Sequence, residues 1–324
     1  MKAIQFHEFG GPDVLRLEEV APPEPGPADI IIAARAVGVN PADTYMRSGT
    51  YRIQPPLPCI PGGDVAGDVL AVGADVEGFA VGDRVFAGAA FGMDFTGCYA
   101  EQVRRPAQHV HHIPERLSYE AATTFGVSYP TAHYALFARG GAQAGETVFI
   151  HGASGSVGTS AIQLAKRAGL RVIGSAGSQA GCDLVLAEGA DVAVDHSRPG
   201  YMDEVAAATQ GRGAELILEM LANVNLAADM EIAAQNGRIM VIGNRGEIQI
   251  NPRMAMMREL DIRGIMLWNA SEAQIGASFA DILVAAEAGE IAPKLGPRLP
   301  LAEAAQAHEL VLGNGNAGKV VLVP

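Results

Sequence analysis

The chain has 324 residues, 49% of them hydrophobic and 18% charged, with a formal net charge of -13. That length and apolar content suffice for two hydrophobic cores, and the acidic balance argues against a polyanion-binding surface as the main function. No stretch approaches the roughly 20 apolar residues of a membrane-crossing helix, and the start MKAIQFHEFG has no apolar run that would read as a secretory signal.

The first 120 residues are rich in Gly, Pro and short β-like runs. DIIIAARAVGVN (29–40), GDVAGDVLAVGADV (63–76), GDRVFAG (82–88) and YAEQVRR (99–105) are separated by turn residues and predict a β-rich domain of short, curved strands. Between the first two, residues 40–51 read as a loop. Helical spacing sets in over 118–137.

From there strands and helices alternate. ETVFIH (146–151) predicts a strand and SVGTSAIQLAKRAG (156–169) a helix ended by Gly169. A strand over 171–177 and a helix over 182–189 follow. Residues 191–196, 214–220, 237–243 and 261–267 supply four more strands. Six strands in such alternation imply an α/β fold with a doubly wound parallel sheet that binds a nucleotide. A helix over 279–291 and a closing strand over 318–324 return to mixed character, and that strand needs the sheet of the first domain. The expected domains are therefore 1–124, completed by 268–324, and 125–267.

HGASGSVG (151–158) is the loop between the first strand and helix of the second domain. It has Ala153 where the usual dinucleotide loop has its first glycine, and it keeps Gly155 and Gly158. A small residue suits the turn, Gly155 lets the backbone approach a pyrophosphate, and Gly158 lets the helix pack on the strand. The helix start offers free N–H groups and a partial positive charge to phosphates. The acidic residue that would bind a ribose 2′-hydroxyl roughly 20 positions on is absent from GSAGSQAG (174–181), and Asp183 falls later, in the helix. NADPH is therefore favoured over NADH, with His196 and Arg198 as the nearest donors for a 2′-phosphate.

VGVNPADTYMRSGTY (37–51), PGGDVAGDVLAVG (61–73), GDRVF (82–86), HGASGSVG, EMLANVNL (219–226), INPR (250–253) and GKVVL (318–322) follow one another along the whole chain. In these segments the sequence resembles the zeta-crystallin-type NADPH:quinone oxidoreductases, the zinc-independent branch of the medium-chain dehydrogenase/reductase family. The resemblance implies a GroES-like catalytic domain plus a Rossmann domain. It places Ser154, Gly155, Ser156, Val157 and Gly158 along the pyrophosphate, and Gly177 and His196 at the adenosine ribose and its phosphate. Asn225, then Ile242, Gly243, Asn244 and Arg245, and Ile265, Met266 and Leu267 are implied near the rest of the cofactor, with Tyr45 reaching it from the first domain. A Lys frequent in this family is missing from the loop at 179–181.

Zinc-using relatives carry a Cys, a His and a second Cys as catalytic ligands; the matching positions here are Asn40, Gly63 and Val127, none of which can replace a thiolate or imidazole at zinc. His109, His111 and His112 read as a solvated strand edge, so no metal is expected. Three scattered cysteines, Cys59, Cys98 and Cys182, suggest neither a disulfide framework nor a zinc lobe and point to a reduced, cytoplasmic protein. Without a metal to stabilise an alkoxide, the expected acceptor is a quinone or another conjugated carbonyl. Its anion is already delocalised once hydride has arrived. Tyr45, Tyr51 and Asn40 are the polar groups expected to face it. Two alternatives stand beside this reading. One is NADPH-dependent reduction of the C=C bond of enones or enals. The other is a zeta-crystallin-like RNA-binding or structural role, against which the intact loop and acidic charge speak. The resemblance also implies a homodimer or homotetramer.

Overall fold

A computed structural model describes residues 1–51, 53–88, 97–313, 315 and 317–324. The chain divides into two compact units, one of residues 1–127 with 293–324 and the other of residues 128–292.

The first unit opens with a hairpin of β1 (Lys2–Gln5) and β2 (Arg16–Glu19), followed by β3 (Asp29–Gly38), helix α1 (Pro41–Ser48), β4 (Asp64–Val72), β5 (Arg84–Ala87), β6 (Gln102–Pro106), β7 (Val110–His112) and the short helix α2 (Tyr119–Ala122). α1 replaces the loop expected over 40–51. Its start is written locally: Asn40 is extended, Pro41 opens the helix, and the Asp43 carboxylate accepts the Asn40 backbone N–H at 2.9 Å. Gly49, at φ 72°, ends it.

The second unit begins with α3 (Ser128–His133) and a π-helical turn over 134–139. It continues through β8 (Thr147–Ile150), α4 (Ser156–Arg167), β9 (Arg171–Ala176), α5 (Gln179–Ala187), β10 (Val192–Asp195), α6 (Tyr201–Ala208), β11 (Ala214–Glu219), α7 (Ala222–Ile232), β12 (Ala233–Val241), α8 (Pro252–Arg258), β13 (Asp261–Gly264) and α9 (Glu272–Ala288). The six strands run parallel in the order β10-β9-β8-β11-β12-β13, the doubly wound order of a Rossmann sheet. β8 is buried along its full length, as a central parallel strand covered on both faces must be. Phe149, Ile173, Val194, Val205, Ile217, Met230 and Ile239 form its core. The second unit extends to Ala292, beyond the expected boundary at 267. α9 belongs with α4 because Arg167 pairs with Asp281 and Glu290, at 2.7 and 2.6 Å.

The chain then returns to the first unit with β14 (Leu295–Pro300), α10 (Ala304–Leu312) and β15 (Lys319–Val323). β15 pairs antiparallel with β3, Val321 facing Gly38. The sheet order is β14-β15-β3-β4-β5-β7, with β6 also on β3. Ile4, Ile30, Ile32, Val65, Val85, Val103, Val320 and Leu322 pack its interior. β7 is an edge strand of the sheet, and His111 departs from the solvated position expected for the histidine cluster. His111 is half-buried against Phe86 at a ring distance of 5.3 Å, and burial pushes its pKa down to about 4. His112 is exposed and stacks on Phe79. No helix among the described residues is long and apolar enough to cross a membrane.

Candidate active site

In the second unit the loop at the end of β8 lies where strand order reverses, between β9 on one side and β11 on the other. Its sequence is cut to close contacts. The Ala153 N–H donates to Ser175 O at 2.7 Å, and its methyl is buried beside Gly174, where a Cβ would lie only 2.8 Å from it. A Cβ on Gly158 would lie 2.5 Å from Ala153 Cα, so only glycine lets α4 pack this tightly. A Cβ on Gly155 would meet Gly152 O alone, at 3.3 Å. Ser154, Gly155, Ser156 and Val157 stay partly exposed at the helix start, and Gly158 is buried. The Ser156 hydroxyl bonds that of Ser128 at 2.7 Å. Lys166 and Arg167 complement the other end of the α4 dipole.

Around this loop stand the ends of the other five strands. Gly177 follows β9, and His196 follows β10 with its Nδ1 3.3 Å from the Ser175 hydroxyl. A Cβ on Gly177 would lie 3.0 Å from His196 Nε2. Burial, with the neighbouring His151, lowers the His196 pKa. Arg198 is exposed and pairs with Asp195 at 3.4 Å. No acid stands between Gly177 and Gly181; Asp183 lies on α5 and accepts from Gln179 at 2.9 Å. In the first turn of α7, Asn225 donates to Glu219 Oε1 at 3.2 Å. The loop after β12 is stitched to the loop after β11: Ile242 N–H donates to Glu219 O at 2.8 Å, and Arg245 N–H to Asn223 Oδ1 at 2.9 Å. Gly243 passes so close to Met220 O that no Cβ fits. Asn244 and Arg245 are exposed. Ile265 and Leu267, beyond β13, are buried, with half-exposed Met266 between them. Every residue singled out in the second domain thus follows the carboxyl end of one of the six parallel strands, the edge at which open α/β sheets bind ligands.

Beneath the loop lies a polar cluster that sequence reasoning missed. His151, Glu219 and Asp229 are buried, with potential ligating atoms within 4.8 Å of one another. His151 Nε2 is 2.7 Å from Asp229 Oδ1 and 3.2 Å from Glu219 Oε2. Burial pushes both carboxyls up to about 7 and the imidazole down to about 4. Near neutrality the imidazole is neutral and the carboxyl pair retains protons. Glu219 also accepts the Leu221 backbone N–H, so the cluster anchors the turn that carries Asn225.

In the first unit, Tyr45 and Tyr51 come together because the chain folds back after α1: the Tyr51 N–H donates to Tyr45 O at 3.1 Å. Both are half-buried. Burial, then the charges of Asp43 and Tyr45, raise the Tyr51 pKa, which keeps its hydroxyl protonated. Asn40 is buried and its amide is taken up by neighbours: Nδ2 donates to Asp64 Oδ2 at 2.7 Å, and Oδ1 accepts from Lys319 Nζ at 2.7 Å. A second chain of bonds reaches Asp43 from below. Arg47 Nη1 lies 3.3 Å from His308 Nδ1, His308 Nε2 lies 3.1 Å from the Tyr99 hydroxyl, and that hydroxyl donates to Asp43 Oδ2 at 3.1 Å. Since a guanidinium only donates, His308 accepts at Nδ1 and carries its proton on Nε2. Burial pushes Asp43 up to about 7.

Residues 26–115 match the alcohol dehydrogenase GroES-like domain, and residues 156–281 the zinc-binding dehydrogenase family. The whole chain is 42% identical to quinone oxidoreductase of Rattus norvegicus and 39% identical to that of Homo sapiens, in each case over 98% of the relative. The chain belongs to the zeta-crystallin-type quinone oxidoreductases. Within this branch of the medium-chain dehydrogenase/reductase family, the quinone oxidoreductase of Escherichia coli, solved in complex with NADPH, superposes with a TM-score of 0.90 at 25% identity over the full length of both chains. Asp64 and Lys319, the partners of the Asn40 amide that sequence reasoning missed, lie inside the very segments that carry the family resemblance.

Proposed function

We propose that this chain is a zinc-independent NADPH:quinone oxidoreductase that passes hydride directly to a quinone, which takes up a proton to become the hydroquinone. The observation that carries this reading is the gathering of Ser154–Val157, Gly177, His196, Asn225, 242–245 and 265–267 on the carboxyl edge of one six-stranded sheet. The cradle fits a dinucleotide: Gly155 leaves the approach open, Gly158 seats the helix, and the helix start offers unpaired N–H groups to a pyrophosphate. The acid-free end of β9, with His196 held over Gly177, accepts a 2′-phosphate without repulsion.

When bound, NADPH supplies the hydride. The chain's own residues orient and stabilise. Asn225, held by Glu219, lies beside the cofactor's path, and the backbone of 242–245 and 265–267 lines it. Tyr45 and Tyr51 donate hydrogen bonds to the acceptor oxygen on which negative charge develops, and burial keeps the Tyr51 hydroxyl protonated for that task. Asn40 stands at the start of the same helix. Free cysteines, all buried, support a reducing, cytoplasmic setting. The exposed Ile262 on edge strand β13, with exposed Met256 and Met257 on α8, supports assembly into a homodimer or homotetramer.

The test is titration with NADPH and NADH, followed by turnover of a quinone and of an enone under identical NADPH. Tight NADPH binding with faster quinone reduction is expected. Failure of both cofactors to bind at millimolar levels would remove the reading, and a faster enone would redirect it.

A further inference from the structure

Lys319 is an ammonium at the start of an otherwise apolar strand. It is fully buried, as is Asp64, and its Nζ donates to Asp64 Oδ2 at 2.5 Å and to Asn40 Oδ1 at 2.7 Å. Asn40 Nδ2 closes the ring on Asp64 Oδ2 at 2.7 Å. Three residues from separate segments therefore share one hydrogen-bonded ring. The ammonium only donates and the carboxylate only accepts, so the Asn40 oxygen must face Lys319 and its nitrogen must face Asp64.

The backbone is shaped around this ring. A Cβ on Gly38 would lie 2.5 Å from Lys319 Cε and 2.8 Å from Asp64 Oδ2, and one on Gly126 would run into Asp64 Oδ1. Asp64 directly follows Gly63, and Gly126 directly precedes Val127. The ion pair is thus built at Asn40 and next in the chain to Gly63, with Gly126, the neighbour of Val127, packed on Asp64; these are the positions that the family resemblance matches to the metal ligands of zinc-using relatives.

A buried ion pair is a weak source of stability, because removing both charges from water costs about as much as their attraction returns. Asn40 is also the N-cap of α1, and its side-chain amide is tied at both ends to the ion pair. Both facts point to geometry rather than stability. We infer that Lys319 and Asp64 are positioning residues for quinone reduction, which lock the Asn40 amide at the start of α1 so that its second Nδ2 hydrogen is the donor held out to the acceptor. This rests on the quinone reductase reading above.

The experiment has an arm that needs no turnover. In the cofactor-free wild-type protein with 15N-labelled asparagine, the Asn40 side-chain amide should give one slowly exchanging Nδ2 proton and a rigid, widely split pair. An averaged pair in fast exchange overturns the inference whether or not quinone is the substrate. The second arm is the charge-free double variant Lys319→Met/Asp64→Asn, chosen because losing both charges leaves no orphan ion. It should keep a wild-type Tm and NADPH Kd while kcat for a quinone falls roughly tenfold to a hundredfold, the scale of a misplaced catalytic group. Asn40→Ala should show the same loss, and the triple variant no more than either. A double variant with wild-type kcat, or losses that add in the triple variant, would overturn the inference. Should the double variant not fold, the amide measurement on the wild type decides alone. Wild-type protein that binds NADPH but reduces no quinone condemns the functional reading and leaves the amide result standing.

Discussion

The methyl group of Ala153 occupies space that exists because residue 174 is glycine: a Cβ there would lie 2.8 Å from Ala153 Cβ and 2.6 Å from Val185 Cγ1. The small residue at the first position of the nucleotide loop and the glycine in the next strand are one packing unit. Gly174→Ala should therefore destabilise the chain by about 1–3 kcal/mol through overpacking. Adding Ala153→Gly should return part of that loss and not all, since Val185 remains. Urea unfolding of the single and double variants measures this; fully additive effects would show that the two positions do not share the space.

Gly155 and Gly158 stand three residues apart and should respond differently to alanine. At 158 the new methyl meets Ala153 Cα at 2.5 Å and Gly152 O at 2.6 Å, both backbone atoms that cannot turn aside. Gly158→Ala should lower stability by about 1–3 kcal/mol and weaken NADPH binding. Gly155→Ala meets only Gly152 O, at 3.3 Å, so it should fold with a near-normal Tm and lose NADPH affinity alone. Equal Tm losses for the two would contradict this division.

The buried carboxyls give stability a definite pH dependence. Glu219 and Asp229 sit at about 7, above their ordinary 4.5 and 3.8, and Asp43 rises to about 7 as well. The folded chain then binds more protons than the unfolded one. The contribution is complete below the unfolded values and is lost as pH rises through 7. His151, held down at about 4 against 6.5, acts in the other direction and costs stability as pH falls below its unfolded value. Above that value only the carboxyls remain. From about pH 6.5 to 8, stability should fall by roughly 1 kcal/mol per pH unit for each group still titrating. Asp229→Asn should reduce the slope and leave the shares of Glu219 and Asp43. Urea midpoints at the two pH values test it, and an unchanged slope in the variant would refute the assignment to this cluster.

His196 is the one basic ring beside Gly177, and the loop from 178 to 181 has no cationic residue. His196→Ala should weaken NADPH binding roughly tenfold, the loss of one hydrogen bond to a charged phosphate, and leave NADH binding nearly unchanged. Calorimetric titration of both cofactors separates the two cases. A parallel loss for NADH would place His196 at the ribose or the ring rather than the 2′-phosphate.

Strand–helix alternation and the glycine loop made the second unit legible, because their signals are local: β8 is an unbroken apolar run and α4 starts where the glycines stop. The sheet order follows from right-handed crossovers once six strands are counted. α1 was hidden because Asn40–Pro41 and Gly49 read as turn punctuation; Asp43, three residues after Asn40, was the available sign of a helix start. The polar clusters had no such sign. Lys319 and Asp64 are separated by 255 positions, and His151 and Asp229 by 78. A buried ion pair is made by topology, and each partner alone looks like an ordinary charged residue in a strand or helix.

The pairing of β15 with β3 sets an order of events during synthesis. β3, β4 and α1 leave the ribosome early, but their edge partner and the ammonium for Asp64 are encoded after the whole of the second unit. A nascent chain can complete the six-stranded sheet, which is continuous in sequence, while the first sheet still has an open edge and an uncompensated carboxylate. Its last ring of hydrogen bonds closes only when Lys319 arrives.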